Sequence, residues 1–511
     1  MNKKLKKTIS TALGFCLAFA TLAGCKSEAK IPQLPDYSTM EKEYDFFGYQ
    51  APGNGTFTID GATKTLGPDL RTVEGFTTYK EAGFNILMQG PATKYLGDDW
   101  ETSECKKAWE TALEAGIDKV IVSDNRFESL VSYKDNLIGD GAAYRFATEE
   151  ELNAYVKECL STYKDMEGFY GVKLWDEPNY TYTNAIGKIY KAIKKAGQDL
   201  GLGNVYIHMN LLPLGNAASY YAADAENITA AYTSYVKGYL EATGADRISC
   251  DVYLYRGTGI CSWFYQTAQI LRAQCDAYGA DLTFCLQSFE MYSGSKIAYR
   301  SVGRSEMFGE FYSLAGMGID DFAYYTYQIP STQDSAHPYP YESSFINPQG
   351  EKTNVYYYGQ EVMATAQKMS DILLNYEYQG GKFFITDDTP NFDVSVYTTS
   401  TPDYDTNTSA FYDNSHTFTQ LKDVAFDNDV VFTTELYDEV NGLYMYMLQN
   451  AIDPMNGQYG RTAETVTATF DSSYTYVAEL HGGEIEYVKL NKGVYQKTLS
   501  AGDAVYLIPL K

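Results

Sequence analysis

Between residues 44 and 375 the sequence alternates short strand-like runs with longer helix-like ones, and this rhythm constrains the fold more than any other feature. Strands are expected at 44–49, 84–88, 119–123, 169–175, 205–210, 247–253, 282–289 and 321–326. The segments between them carry helical spacing. Leu152, Tyr155, Val156, Cys159, Leu160 and Tyr163 fall on one helical face, and Thr148 with Glu151 has the spacing of a capping box at its start. Further helices are expected at 185–200, 228–243, 262–278, 304–314 and 355–374, three of them ending at Gly201, Gly244 and Gly279. Eight strands, each followed by a helix, predict an α/β chain folded as a (β/α)₈ TIM barrel over residues 44–378. A doubly wound open sheet is the competing architecture. It usually brings a glycine-rich phosphate turn, and neither G-x-G-x-x-G nor G-x-x-x-x-G-K-[ST] occurs.

After Gly380-Gly381 the period changes to two. Strands are expected at 430–436, 442–449, 465–470, 476–479, 485–490 and 504–508, separated by Asn-Gly, Gly-Gly and Lys-Gly turns, and they predict a β-sandwich over residues 379–511. The Asp- and Asn-rich stretch 403–429 fits no calcium-loop spacing and reads as a solvated loop.

Residues 1–24 read as a leader: Lys3, Lys4, Lys6 and Lys7 precede an apolar run too short for a comfortable membrane span. It ends Leu22-Ala23-Gly24-Cys25, which resembles a bacterial lipobox. That resemblance implies cleavage before Cys25, a lipid on its thiol and an extracytoplasmic protein held at the cell membrane. Residues 25–43, with Pro32 and Pro35, would then be a tether. Loss of the leader, with four lysines and no acid, would take the net charge from −26 to −30. A nucleic-acid partner is excluded on that charge, because phosphate binding needs a cationic footprint. Six cysteines remain beyond Cys25, with no CxxC spacing. They read as buried thiols, with a Cys250–Cys285 bridge left open.

His208, His337, His416 and His481 form no metal-like cluster, and no G-x-S-x-G occurs, so no metal or other cofactor and no serine nucleophile is expected. The chemistry-bearing segment is Tyr170-Gly171-Val172-Lys173-Leu174-Trp175-Asp176-Glu177-Pro178-Asn179, ending the fourth strand on the rim where barrels carry their sites. The 48 tyrosines add flat faces with polar tips, which suit sugar rings and also simple packing.

Trp-Asp-Glu-Pro-Asn resembles the Asn-Glu-Pro segment that ends strand four in clan A glycoside hydrolases. The resemblance implies that Glu177 is the general acid/base and that a nucleophilic Glu ends strand seven, where Glu290 follows residues 282–289. Two carboxylates flanking the bond allow retention when close and inversion when about 6.5 to 9.5 Å apart. The sequence departs from the family in having Asp176 where Asn is usual, and Tyr324, Tyr325 and Tyr327 in the region of the strand-eight Trp. Asp176, Asp124, Asn210, Asp251, Tyr253, Gln287, Trp175 and Tyr325 are the candidate substrate-binding residues, with Asp124 weighed against a helix-cap or turn role, Asp251 also the substitute nucleophile, and Tyr255 and Trp263 as further candidates weighed against packing. The implied function is retaining hydrolysis of an oligo- or polysaccharide. The alternative is a non-catalytic glycan-binding lipoprotein on the same scaffold.

Overall fold

The computed structural model describes residues 31–511 apart from 41, 51, 60–61, 224–226, 258, 262, 294–295, 330–340, 343, 386–400, 403–408, 411–412, 428–429 and 455–462. The leader, Cys25 and His337 lie outside the described residues.

The alternation resolves into eight parallel strands: β1 (Phe46–Gly48), β2 (Leu87–Met88), β3 (Val120–Ser123), β4 (Phe169–Asp176), β5 (Tyr206–Leu211), β6 (Arg247–Asp251), β7 (Asp281–Gln287) and β8 (Asp321–Tyr325). They form one sheet in the order β1-β8-β7-β6-β5-β4-β3-β2. A parallel bridge from Phe47 to Ile86 joins its first and last members, so the sheet closes into a (β/α)₈ barrel. Side-chain alternation sorts the barrel into two cores. Phe47, Ile86, Met88, Ile121, Cys285 and Ala323 fill the interior, with Tyr170, Tyr206, Tyr253 and Tyr325 against them. The outward residues, such as Val122, Leu174, Met209 and Phe284, join the larger core shared with the helices.

Those helices are α1 (Val73–Glu81), α2 (Glu104–Glu114), α3 (Asn125–Val131), α4 (Glu149–Ser161), α5 (Thr183–Leu200), α6 (Ile228–Thr243), α7 (Phe264–Tyr278), α8 (Arg304–Gly316) and α9 (Asn354–Leu373). Thr148 caps α4 by accepting from the Glu151 amide. Glu151 reaches back to the Ala147 amide, one residue earlier than a capping box requires. Gly201, Gly244 and Gly279 end α5, α6 and α7 in the left-handed region.

The C-terminal strands are β9 (Glu377–Ile385), β10 (Leu421–Phe426), β11 (Val430–Asp438), β12 (Leu443–Asn450), β13 (Ala463–Phe470), β14 (Tyr476–His481), β15 (Glu484–Lys489), β16 (Val494–Ser500) and β17 (Ala504–Leu510). They make a six-stranded sheet, β9-β11-β12-β17-β14-β15, facing a three-stranded one, β10-β13-β16. Val431, Leu448, Val466, Phe470, Leu499 and Val505 lie in the core between them. The outer face of the large sheet packs on the barrel through Phe432, Met447 and Tyr506, which explains why β17 is buried along its whole length. Close approach is built into this contact: a Cβ on Gly309 of α8 would stand 3.2 Å from the Gly502 Cα.

Two expectations change here. β9 continues through Gly380-Gly381, with a shift in its pairing between Tyr378 and Gly380. The described part of the tether is docked, not free: Tyr37 is buried, its hydroxyl donating to Asp438 at 2.6 Å and meeting Tyr376 at 3.0 Å. All six described cysteines are buried free thiols, which closes the question of a Cys250–Cys285 bridge.

Candidate active site

The site begins with a bulge. Lys173 faces the barrel interior, its ammonium 5.3 Å from the centre of the Tyr49 ring, so strict alternation would turn Trp175 inward and Asp176 outward. The pairing of β4 with β5 shifts between Lys173 and Trp175. The extra residue inverts the alternation, and Asp176 points inward, where its Oδ1 accepts from the Asn210 amide at 3.2 Å. Glu177 follows in a left-handed conformation, φ 47°, that residues other than glycine seldom adopt. Its N–H still donates to the Asn210 carbonyl at 2.8 Å, so the ladder fixes the strained residue in place.

Period two on β5 and β6 supplies the partners. Asn210 Nδ2 donates to Asp176 and also to Asp251 Oδ1 at 2.7 Å, and Ser249 donates to Asn210 Oδ1 at 3.0 Å, which fixes the amide's orientation. Tyr253 donates to Asp251 Oδ2 at 3.0 Å. Lys173 Nζ lies 3.4 Å from Asp176 Oδ2. Asp176, Glu177, Asn210, Asp251 and Tyr253, all foreseen, therefore form one cluster with Lys173, which was not.

Its electrostatics separate the acids. Glu177 keeps contact with solvent at the mouth of the barrel, yet enough protein surrounds it that lost hydration is the main cause of its raised pKa of about 8; the charges of Asp251 and Asp176 add to it. Asp251 rises to about 6, through burial first and the Asp176 charge second, while the Asn210 and Tyr253 hydrogen bonds pull it back. The pair titrates as a unit, with a neutral Glu177 beside an ionised Asp251 in the interval between. Deeper in the barrel, His208 is held between Tyr49 and Tyr206. Burial and Lys173 lower its pKa to about 3, so it stays neutral.

Other candidates go elsewhere. β7 ends at Gln287, so Glu290 lies three residues past the strand instead of at its end; it opens the hairpin of Glu290–Ser293 with Lys296–Tyr299, and its Oε2 accepts from the Ser301 amide at 3.0 Å. Gln287 is fully buried and spent on structure, donating to the carbonyls of Tyr255, Phe289 and Arg300 and accepting from the Tyr255 amide. It ties the loops after β6 and β7 together instead of facing a sugar. Asp124 caps α3 and is enclosed by Arg126 and Tyr163, leaving no carboxylate oxygen for a ligand. Tyr255 is buried beneath the Arg300 guanidinium. Trp263 precedes α7, with the Arg256 guanidinium 5.1 Å from its ring.

Two aromatic groups remain near the rim. Trp175 packs at 5.7 Å on Tyr182. Tyr325 is partly exposed and lies 5.3 Å from Phe289 and 5.9 Å from Tyr253.

Two supports were not foreseen. Glu310 of α8 is fully buried and accepts from the amides of Gln287, at 2.8 Å, and Leu254, at 3.4 Å; burial raises its pKa to about 8. Arg300 pairs in the interior with Asp453, which follows β12, and donates to the carbonyls of Arg256 and Gly259. The sandwich thus braces the loop that leaves β6.

No protein-family model matches the sequence, and no curated protein does. Among solved structures, the chain is similar to a glycoside hydrolase (TM-score 0.47, 11% identity, 92% of each chain covered) and to a glycoside hydrolase family 5 protein from Bacteroides vulgatus (0.46, 10%, 92% of this chain and 89% of that one). It is also similar to an Anoxybacillus alpha-amylase (0.45, 10%, 92% and 98%). At these values the likeness carries no inference about activity. The barrel stands on its strand order and closing bridge.

Proposed function

We propose that the chain is a glycoside hydrolase acting on an oligo- or polysaccharide by a retaining two-carboxylate mechanism. The observation that carries the reading is the placement of Glu177 at the barrel mouth directly after the Asp176–Asn210–Asp251 hydrogen-bonded cluster, where lost hydration and the charges of Asp251 and Asp176 raise its pKa. Glu177 protonates the glycosidic oxygen as its bond to the anomeric carbon breaks. The Asp251 carboxylate attacks that carbon and forms a glycosyl ester. The Glu177 carboxylate then takes a proton from water, whose oxygen attacks the same carbon and releases Asp251. Asp251 takes the nucleophile's role in place of Glu290 because it shares a hydrogen-bonded cluster with Asp176 and its charge is the largest acting on Glu177.

The test is a screen of purified protein on aryl glycosides and on plant and host glycans, followed by Glu177→Gln, Asp251→Ala and Glu290→Ala. Glu177→Gln should lower kcat by roughly 10²- to 10⁴-fold. Asp251→Ala should abolish turnover, with azide restoring it, while Glu290→Ala retains activity. Azide rescue of Glu290→Ala instead would return the role to Glu290. Binding of a glycan with no product from any of them would favour the non-catalytic alternative.

Membrane attachment through Cys25 outside the cytoplasm belongs to the same proposal and rests on the lipobox-like sequence. Radiolabelled palmitate should enter the full-length chain and fail to enter Cys25→Ser.

A further inference from the structure

A second cleft, of about 670 Å³, lies wholly on the sandwich, between β9, the segment leading into β10, the turn after β13 and Lys511. Its walls are aromatic. Phe384 and Phe418 present rings 6.3 Å apart and only 18° from parallel, and Tyr474 stands in the turn after β13. All three are half-buried, so each keeps part of its surface in the cleft. Two ammonium groups accompany them, Lys382 at 5.5 Å from the Phe384 ring centre and Lys511 at 5.2 Å from that of Tyr474. Neither has a carboxylate partner among the described residues, whereas the third lysine of the cleft, Lys422, is neutralised by Asp471 at 2.6 Å. Asp423 is the other acid of the lining, so lysine side chains outnumber carboxylate side chains there by three to two, on a chain whose net charge is −26.

We propose that this cleft binds an acidic oligosaccharide. Flat rings at this spacing suit the C–H face of a pyranose. The two ammonium groups suit carboxylates on its sugars, and a charge-assisted bond to each is stronger than one to a neutral hydroxyl. The choice of a sugar rests on the carbohydrate-directed reading of the barrel; the preference for an acidic one rests on the cleft itself.

The experiment is calorimetric titration of full-length Glu177→Gln protein, so that turnover does not consume the probe, with tetragalacturonate, a hyaluronan tetrasaccharide and cellotetraose. At least one acidic probe should bind, at least tenfold more tightly than cellotetraose. Its affinity should fall at least tenfold in Lys382→Ala/Lys511→Ala, a surface change that leaves the urea midpoint in place, and also in Phe418→Ala checked for folding by the same melt. Absence of binding by both acidic probes, equal binding of the neutral one, or full affinity in the lysine variant would overturn the proposal. These outcomes are independent of turnover: a wild-type protein inert on every glycoside but binding through Lys382 and Lys511 would sink the hydrolase reading alone, and the converse would sink this one alone.

Discussion

Asp176 is the carboxylate that raises both Glu177 and Asp251 while lacking a place in either proton-transfer step, which makes Asp176→Asn the sharpest perturbation of the site. The amide is isosteric and keeps an acceptor toward Asn210, so geometry changes little. The 3.2 Å and 2.7 Å bonds to one Asn210 nitrogen hold Asp176 Oδ1 and Asp251 Oδ1 no more than about 6 Å apart, where two unit charges at an effective dielectric constant of 20 repel by ~3 kcal/mol. Asp176 has 49% of its side-chain surface in water, and screening reduces that figure to about 1 kcal/mol, somewhat under one pH unit. The wild type should give a bell-shaped kcat/KM profile, falling below about 6 as Asp251 gains its proton and above about 8 as Glu177 loses its own. In Asp176→Asn both limbs should move to lower pH. The acid limb should move further, because Asp176 is the leading charge on Asp251 and only the second on Glu177. An alkaline limb that stays put or moves up would refute the assignment of Glu177 as the acid.

Tyr253→Phe should do the opposite on one side: removing the hydroxyl that stabilises the Asp251 carboxylate should raise the acid limb by about 0.5 to 1 pH unit, with little change at high pH, as read from the same profile. Glu310 has a folded pKa of about 8 against an unfolded value near 4.5, so the folded state holds a proton that the unfolded chain has lost throughout that interval. Its contribution makes stability fall as pH rises from about 4.5 to 8, by up to ~1.4 kcal/mol per pH unit, and Glu310→Gln should remove that slope in urea titrations; parallel wild-type and variant curves would contradict it. Asp453→Asn removes the nearer of the two carboxylates on the buried Arg300 guanidinium and leaves Glu306 at 3.5 Å, and the urea-derived stability should drop by roughly 1–3 kcal/mol. It should also speed amide exchange in the loop after β6, where Arg300 holds the carbonyls of Arg256 and Gly259.

The order of the barrel was legible because hydrophobic period and glycine caps are local signals: each of the eight expected strands overlaps an observed one, and Ile228–Thr243 matches its expected bounds. Counting along a strand was legible only where the ladder is regular. Asn210 and Asp251 follow period two and were found; the inward turn of Asp176 depends on a shift against β5, which lies more than thirty residues away and leaves no mark in β4 itself. The expected end of the seventh strand fell two residues late because an apolar Phe289 prolongs the strand pattern past Gln287, the last paired residue. Asp124 and Gln287 are candidates by their places at the ends of the third and seventh strands; Asp124 proves to be the cap weighed against that role, and the partners Arg126, Tyr163, Phe289 and Arg300 consume both side chains. Lys173 could have been found, since a lysine inside an apolar strand needs an anion near it. Glu310, Arg300 and Asp453 could not, because each gains its meaning from a partner far along the chain. The strands Glu377–Ile385, Leu421–Phe426 and Val494–Ser500 were missed because glycine, lysine and other polar residues blur their alternation.

The reach of Asp453 across to Arg300 means that the two halves of this molecule share one buried ion pair. A barrel cut free of its β-rich companion would lose the nearer of two carboxylates on Arg300 and keep only Glu306, at 3.5 Å, beside the guanidinium that holds the loop after β6. Grafting this barrel onto another tail should therefore loosen the loop after β6 unless the new tail brings an acid to that spot.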